Sequence, residues 1–403
     1  MRQPRVEKRD AGDYHPTIMK IPILLVLLAT AGANLFAATE QDLQLAAERH
    51  YRAGNYIAAL EDYDELLTRF PLADSAPDSR YFRAVSLLRL GRYQEALTAL
   101  EELESRYRTT RYFQYVYFWL GTVRFRLQNF EGAVQAHTAF LAVSRDPEMV
   151  PQALLEKAQA ELRLSSPAAA VRDLEVLVRE HADSAASRRG AVLLAYAYLS
   201  QGRAGEVLSL AERTPSSSLP ESLRSFYRLY VAEALWSLGR REEAVSQYTD
   251  LVGAEDPVAA AAYRRLFMAV EPEGDLTRMQ SLMQKAEGRF AGQPAMLLDL
   301  WIQIGVESVR QGKLQLGEYF LGKVWGQPDR GSLPDAVPLY LAEVRLRRGE
   351  PAGAAEVLEQ YLALKPARPE RVLLRLGEVR LRQERYAEAA GLFQRYLSEY
   401  PDA

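Results

Sequence analysis

A short motif that recurs along most of the chain constrains its fold more than any other feature. In the first copy, the anchor Gly54 is followed by Tyr56 and then by the small residue Ala59. Six successive anchors lie 37 residues apart, at positions 54, 91, 128, 165, 202 and 239. Four more follow at Gly274, Gly312, Gly349 and Glu384. A period of this length predicts a solenoid, in which each unit buries its apolar face against its neighbours.

Each repeat is predicted to contain two helices, with the anchor at the turn between them. Glycine at the anchor supplies the left-handed backbone that ends the first helix. Seven residues before most anchors lies a small residue, such as Ala47 or Gly121, that lets the two helices approach closely, and Phe267 is the exception. Apolar residues recur at helical spacing in the second helices. The chain is therefore predicted to be all-α, with repeats 1–5 at 40–213 and repeats 6–10 at 221–403.

The motif resembles a known repeat family. The run from Ala53 to Tyr56, with Ala59, Tyr63 and Phe70-Pro71, is similar to the tetratricopeptide repeat, or TPR. The resemblance implies a right-handed superhelical α-solenoid of about ten TPR-like helix-turn-helix repeats, a fold that binds other proteins. The chain is most similar to bacterial cell-envelope TPR proteins, such as the periplasmic protein of the Tol-Pal system and the TPR lipoprotein of outer-membrane assembly. It differs from that lipoprotein because it has no cysteine to carry a lipid.

The first 37 residues have the features of a leader. Met19 and Lys20 precede the apolar run 21–28, and small residues follow it. This order is typical of a secretory signal peptide, and it predicts a start at Met19 with cleavage after Ala33 or Ala37. The alternative is an uncleaved inner-membrane anchor, since no charge interrupts residues 21–38. We expect a periplasmic or exported protein, or an anchored one if the segment is retained.

The composition argues against catalysis. The chain has no cysteine and only four histidines, of which His50, His137 and His181 belong to separate repeats. No metalloprotease, nucleophile-elbow, phosphate-loop or dinucleotide motif is present. The formal net charge of −3 gives no general attraction to nucleic acid. We therefore predict no enzyme activity, cofactor, metal, nucleic-acid ligand or small-molecule substrate, and we interpret His137 as a packing residue.

Binding is expected on the first helices, which line the groove of a TPR array. The family's groove positions hold aromatic and aliphatic side chains here, which suit an extended peptide or an amphipathic helix. The alternative is that half of these rings belong to the core, because residues 111–120 are apolar on every side. The predicted groove residues are Tyr51, Tyr81, Leu88, Tyr115, Phe118, Phe125, Phe226 and Trp236.

A row of arginines recurs one residue beyond the last of these groove positions. Four of them lie in successive repeats, Arg52, Arg89, Arg126 and Arg163, and the row resumes at Arg310, Arg347 and Arg382. One interpretation is a basic ladder that pairs with an acidic partner through bidentate hydrogen bonds. The other is a solvated side chain that is favoured near a helix C-terminus.

Three functions remain open at this point. The first is a non-enzymatic protein-interaction scaffold or adaptor of the bacterial cell envelope. The second is a cell-wall glycan-binding module, although rings that lie beside aliphatic residues favour a protein ligand. The third is a membrane-anchored co-chaperone, which requires an uncleaved signal. The tenth repeat has no polar capping helix after it, so self-association through this end is also expected.

Overall fold

In a computed structural model of the chain, residues 38–269 and 276–401 are described. They form twenty α-helices, two short 3-10 helices at Ser216–Ser218 and Arg330–Ser332, and no strand. The predicted leader, with Met19 and both cleavage sites, and the anchor Gly274 lie outside these residues. The helices are α1 (Glu40–Arg52), α2 (Tyr56–Arg69), α3 (Ala76–Arg89), α4 (Tyr93–Arg106), α5 (Phe113–Arg126), α6 (Phe130–Val143), α7 (Met149–Arg163), α8 (Pro167–Glu180), α9 (Ala185–Ser200), α10 (Ala204–Arg213), α11 (Glu221–Ser237), α12 (Arg241–Leu251), α13 (Asp256–Ala269), α14 (Leu276–Arg289), α15 (Pro294–Arg310), α16 (Leu314–Trp325), α17 (Ala336–Arg347), α18 (Pro351–Ala363), α19 (Pro369–Arg382) and α20 (Tyr386–Glu399).

The helices are arranged as a solenoid of hairpins. Two compact units divide the chain after Arg145, so that α1–α6 belong to the first and α7–α20 to the second. Within each unit nearly every helix packs against the next one along the chain, and each odd-numbered helix also contacts the next odd-numbered helix. The odd-numbered helices are the first helices of the hairpins. Their shared surface within a unit is the first-helix face.

The turn-rich stretch at 214–220 does not separate the two compact units. Residues Ser216–Ser218 form a 3-10 helix, and Leu219 after them is buried. Helix α11 packs against both α9 and α10, so contacts continue past this stretch inside the second unit. The boundary between the two compact units lies after Arg145, inside the range 40–213 of repeats 1–5.

The anchors end the first helices as predicted. Six anchor glycines have φ angles between 72° and 79°, the left-handed region. At Gly54, its own N–H donates to the carbonyl of Tyr51, and the N–H of Asn55 donates to the carbonyl of His50. This pair of hydrogen bonds is the Schellman motif, which satisfies carbonyls that the end of a helix leaves free. The expectation of a left-handed helix end is confirmed at these positions.

Small residues in the first helices make room for the second helices. A Cβ added at Gly121 would lie 2.6 Å from the ring of His137, and one at Gly305 would lie 2.7 Å from Cγ of Leu321. His137 itself is fully buried, as a packing residue should be. Phe267 replaces the small residue in the seventh repeat, where its ring packs against Phe320 at 5.1 Å between centroids. Phe320 lies on α16, so this ring packs against the following repeat rather than only within its own hairpin.

Candidate protein-interaction surface

Three of the predicted groove residues lie in the core. Phe118 is 3% exposed, Tyr81 is 6% exposed and Leu88 is 9% exposed. The ring of Phe118 packs against His137 and Phe140 of α6, with centroid distances of 5.6 Å and 5.5 Å. These side chains pack between helices, so they present little surface to a partner.

The other predicted groove residues are half-buried. Tyr115 and Phe125 lie on α5, where the Phe125 ring is 5.4 Å from Phe130 of α6. Phe226 and Trp236 lie on α11 in the second unit, packed around one apolar cluster. Tyr51 contacts Phe82 at 4.9 Å between ring centroids. Each of these rings lies partly against the core and is partly exposed to solvent.

Two aromatic residues that the sequence did not single out as groove residues are half-buried on the first helices. Phe82 and Trp119 each follow a predicted groove residue by one position. One residue is about 100° around a helix, which separates an interhelical position from a surface one. Both also lie seven residues before a ladder arginine, on the same helical stripe. The arginine row was thus the sequence signal that could have located them.

These rings lie in an aromatic row of the first unit, made of Tyr51, Phe82, Tyr112 and Trp119, in which the buried ring of Tyr81 joins Trp119 to Tyr112. Phe82 lies 4.8 Å from Tyr112 between centroids, in an edge-on arrangement. The indole N–H of Trp119 donates to the hydroxyl oxygen of Tyr81 at 2.8 Å, which fixes the indole against α3. Edge-on pairs of this kind stabilise beyond their buried area. The row is therefore a rigid surface rather than a set of free side chains.

The ladder arginines are exposed, but they do not share one partner. Arg52 pairs with Glu48 on its own helix at 3.0 Å. The Arg89 guanidinium lies 5.2 Å from the centre of the Trp119 ring, a cation–π contact between neighbouring first helices. Within the described part of the chain, Arg126 and Arg163 are exposed and have no carboxylate partner. The ladder therefore combines local contacts with guanidinium groups that remain available.

Trp236 is held by charged neighbours. The guanidinium of Arg241 lies 3.7 Å from the centre of its ring, and that of Arg265 lies 5.5 Å away. Glu233 accepts hydrogen bonds from Nε of Arg265 at 2.8 Å and from the hydroxyl of Tyr248 at 2.9 Å. Burial, with the Glu233 carboxylate beside it, raises the pKa of Tyr248 well above its usual value. This arrangement orders the indole, which stays partly exposed.

An open groove runs between α17 and α19 in the second unit. It consists of two adjoining cavities of about 620 and 360 Å³ that share Glu343, Arg375 and Glu378. Both helices are first helices of their hairpins, so the groove lies on the first-helix face. The lining residues are Ala336, Leu339, Tyr340, Glu343, Leu346, Arg347, Arg371, Leu374, Arg375, Glu378, Leu381 and Arg382.

Ion pairs cross the middle of this groove. Arg375 of α19 lies 2.6 Å from Glu378 on its own helix and 3.5 Å from Glu343 of α17. Glu343 also pairs with Arg347. On either side of these pairs, Leu374 and Leu381 are 41% and 45% exposed. Exposed leucines among paired charges give a surface that is both apolar and polar, as a protein-binding groove requires.

Over 38–269 and 276–401, no group of three or more His, Cys, Asp or Glu side chains is placed to hold a metal ion. No helix in the same ranges is long and apolar enough to cross a membrane.

Comparison with known families agrees with the repeat geometry. A tetratricopeptide-repeat family model matches residues 86–142, 120–185 and 331–403. Hairpins with Schellman turns and small residues at the interhelical contact occupy the same residues in the structure. The matched segments are TPR-like helix-turn-helix repeats. A model of the anaphase-promoting complex, cyclosome, subunit 3 family also matches residues 27–103.

Several solved TPR structures are similar to this chain. A tetratricopeptide repeat protein from Parabacteroides merdae is 14% identical, with 76% of this chain and 98% of that chain covered and a TM-score of 0.40. The Cut9-Hcn1 hetero-tetramer of the APC/C is 14% identical, with 95% and 90% covered and a TM-score of 0.30. The TPR domain of P58(IPK) is 14% identical, with 90% and 94% covered and a TM-score of 0.27. No curated protein matches the chain.

Proposed function

We propose that this TPR solenoid is a non-enzymatic scaffold of the bacterial cell envelope that binds partner proteins on its first-helix face. The observation that supports this most strongly is the groove between α17 and α19. Its walls come from two first helices, and it displays the exposed side chains of Leu374 and Leu381 beside charged groups. An extended peptide or an amphipathic helix of a partner fits such a groove.

The aromatic row of the first unit supports a second binding surface. Trp, Tyr and Arg are the residues that most often dominate the energy of protein interfaces. Here Trp119 and Phe82 are half-buried on first helices, with Arg89 against the indole. Because the rings are already held by one another, a partner would bind them without ordering them first.

The envelope location rests on the sequence of the first 37 residues. A basic residue, an apolar run at 21–28 and small residues around Ala33 and Ala37 are the order found in exported proteins. A cleaved leader would place the solenoid in the periplasm or outside the cell. A retained one would anchor it to the inner membrane.

Paired variants test the proposed function in the native cell. We expect Leu374→Asp combined with Leu381→Asp to abolish the co-purification of partner proteins, because carboxylates replace the apolar surface of the groove. The control is Ile57→Asp combined with Leu72→Asp, since these two are 62% and 95% exposed and lie outside the first helices. Thermal melts should show that both variants are folded. Equal partner recovery from the two folded variants would contradict a role for the groove.

A further inference from the structure

We infer that the groove between α17 and α19 binds an acidic segment of a partner, in which two carboxylates flank two apolar side chains. The inference rests on the proposed function of this groove and specifies its ligand. It follows from which charges in the groove are already paired, and from the spacing of those that are not.

The negative charges of the groove are satisfied within the protein. Glu343 pairs with both Arg347 and Arg375, and Glu378 pairs with Arg375. Arg371 and Arg382 also line the groove, are exposed, and have no carboxylate partner in the described part of the chain. Four guanidinium groups therefore face two carboxylates, and the unpaired positive charge lies towards the two ends of the groove.

A third arginine borders the groove without a carboxylate partner. Nε of Arg310, on α15, donates to the hydroxyl oxygen of Tyr340 at 3.2 Å, and its guanidinium lies 5.6 Å from the centre of that ring. Tyr340 belongs to the same cavity as Arg371. This contact orients Arg310, which forms no ion pair within the described residues. It adds to the attraction for an anionic ligand at that end.

The spacing on α19 predicts the spacing in the ligand. Arg371 and Arg382 are eleven residues apart, which is about 16 Å along a helix, and Leu374 and Leu381 are seven apart, about 10 Å. An extended peptide advances roughly 3.3 Å per residue. Successive side chains of an extended peptide point to opposite faces, so the residues that face the groove must be an even number of positions apart. Carboxylates six residues apart, about 20 Å, with apolar side chains two residues apart between them, about 7 Å, therefore come within side-chain reach of the two arginines and the two leucines.

The groove also disfavours other polymers. A nucleic-acid strand carries a phosphate at every step, and Glu343 and Glu378 in the middle of the groove would repel a continuous row of phosphates. A basic peptide would face the unpaired arginines. A peptide that has acidic residues at its ends and leucines in its centre would place its carboxylates beside the unpaired arginines and its leucines beside Leu374 and Leu381.

A fluorescein-labelled peptide provides the test. We expect the amidated peptide Ser-Asp-Ser-Leu-Ser-Leu-Ser-Asp-Ser, whose acidic and apolar side chains share one face when extended, to bind the full-length protein in fluorescence anisotropy at low salt. Replacing both Asp by Asn should weaken binding about fivefold or more, because two exposed charge pairs are lost. Replacing both Asp by Lys should abolish it. The amide at the C-terminus removes the terminal carboxylate, so any binding reports internal acidic residues.

Two double variants locate the site. Arg371→Gln with Arg382→Gln should weaken binding of the Asp peptide about fivefold or more and remove its preference over the Asn peptide. Arg172→Gln with Arg189→Gln changes the net charge equally, outside both the groove and the arginine ladder, and should leave binding within about twofold. Circular dichroism melts show whether each variant is folded. The four arginines are exposed and lack carboxylate partners, so folded variants are expected.

The outcomes separate this inference from the proposed function. No binding of the Asp peptide, equal binding of the Asp and Asn peptides, or an equal loss in the two double variants would overturn the acidic-segment inference. If partner recovery still depends on Leu374 and Leu381 when the acidic-segment inference fails, the proposed scaffold function would remain supported. If Leu374→Asp with Leu381→Asp reduces neither partner co-purification nor peptide binding, that result would contradict the proposed function itself.

Discussion

Glu161 on α7 is a carboxyl group in the core of the second unit. It is 5% exposed, and Nζ of Lys157 lies 3.2 Å from its carboxylate while also lying 2.5 Å from Asp173 of α8. Burial, with the negative charge of Asp173 nearby, raises the pKa of Glu161 from its ordinary value of 4.5 to about 7. The hairpin of α7 and α8 therefore contains a group that titrates near neutral pH.

The pH dependence of this hairpin follows from that shift. Between about pH 4.5 and 7 the folded hairpin keeps a proton that the unfolded chain releases. Its free energy of unfolding should therefore be greatest below this window, fall as the pH rises through it, and level off above pH 7. We expect Glu161→Gln to remove this fall and to stabilise the hairpin by about 2 kcal/mol at pH 8, with little effect at pH 4.5.

Hydrogen exchange of the α7 and α8 amides at the two pH values measures this prediction, because repeat arrays open in parts. Exposed Glu180 at the end of α8 provides the control substitution, Glu180→Gln. A Glu161→Gln variant that is equally destabilised at both pH values would show that the carboxylate is stabilising instead.

The anchor turns give a second residue-scale prediction. Gln128 has a φ of 62° at the position where Gly91 has 75° in the preceding repeat, and a Cβ at Gly91 would meet nothing within 4 Å. The difference in stability between glycine and glutamine at these anchor positions therefore comes from the left-handed backbone alone. Gly91→Gln should destabilise its hairpin by about 1 kcal/mol, and Gln128→Gly should stabilise its own by about 0.5 kcal/mol. Thermal melts of both variants that shift in the same direction would contradict this explanation.

At the scale of helices, the close approach of hairpin partners is the feature most open to test. Three atoms of the His137 ring would lie 2.6–2.7 Å from a Cβ at Gly121. Gly121→Ala should therefore push α5 and α6 apart and cost about 2 kcal/mol. Gly322 inside α16 has no atom within 4 Å of such a Cβ, so Gly322→Ala should instead stabilise by about 0.5 kcal/mol. A chemical denaturation series on the two variants would contradict the packing argument if both were equally tolerated.

The helices themselves could be predicted from the sequence because local residue patterns mark the position of each turn. Anchor glycines, prolines such as Pro167 and Pro351 at the first position of a second helix, and small residues seven before the anchor all act locally. The groove positions could not be predicted to the residue, because Phe118 and Trp119 are adjacent and equally aromatic. Only the packing of α6 against α5 decides that Phe118 is buried and that Trp119 reaches the surface.

At the scale of the whole molecule, the repeat number and the solenoid class were readable from the 37-residue period, whereas the division into units was not. The period continues through Arg145, so nothing in the sequence distinguishes that position. The groove between α17 and α19 was not predicted either, although two of its lining residues, Arg347 and Arg382, belonged to the predicted arginine ladder. Its volume depends on the distance between two helices that are separated by a complete hairpin.

The location of the protein in the cell depends on whether its predicted leader is cleaved. We expect protein isolated from its native cell to be soluble after fractionation and to begin near Asn34 or Ala38, because cleavage would follow Ala33 or Ala37. Intact mass and N-terminal sequencing measure this. A membrane-bound species that retains residues 21–28 would contradict export as a free protein and would identify an anchored adaptor.

Site-specific photo-crosslinking in the native cell shows directly whether partners bind the first-helix face. A photoreactive phenylalanine at Leu381 would lie in the groove, and one at Leu72 would lie outside the first helices on a fully solvated position. We expect a discrete protein adduct from position 381, identifiable by mass spectrometry, and none from position 72. Adducts from both positions alike, or from neither, would contradict it.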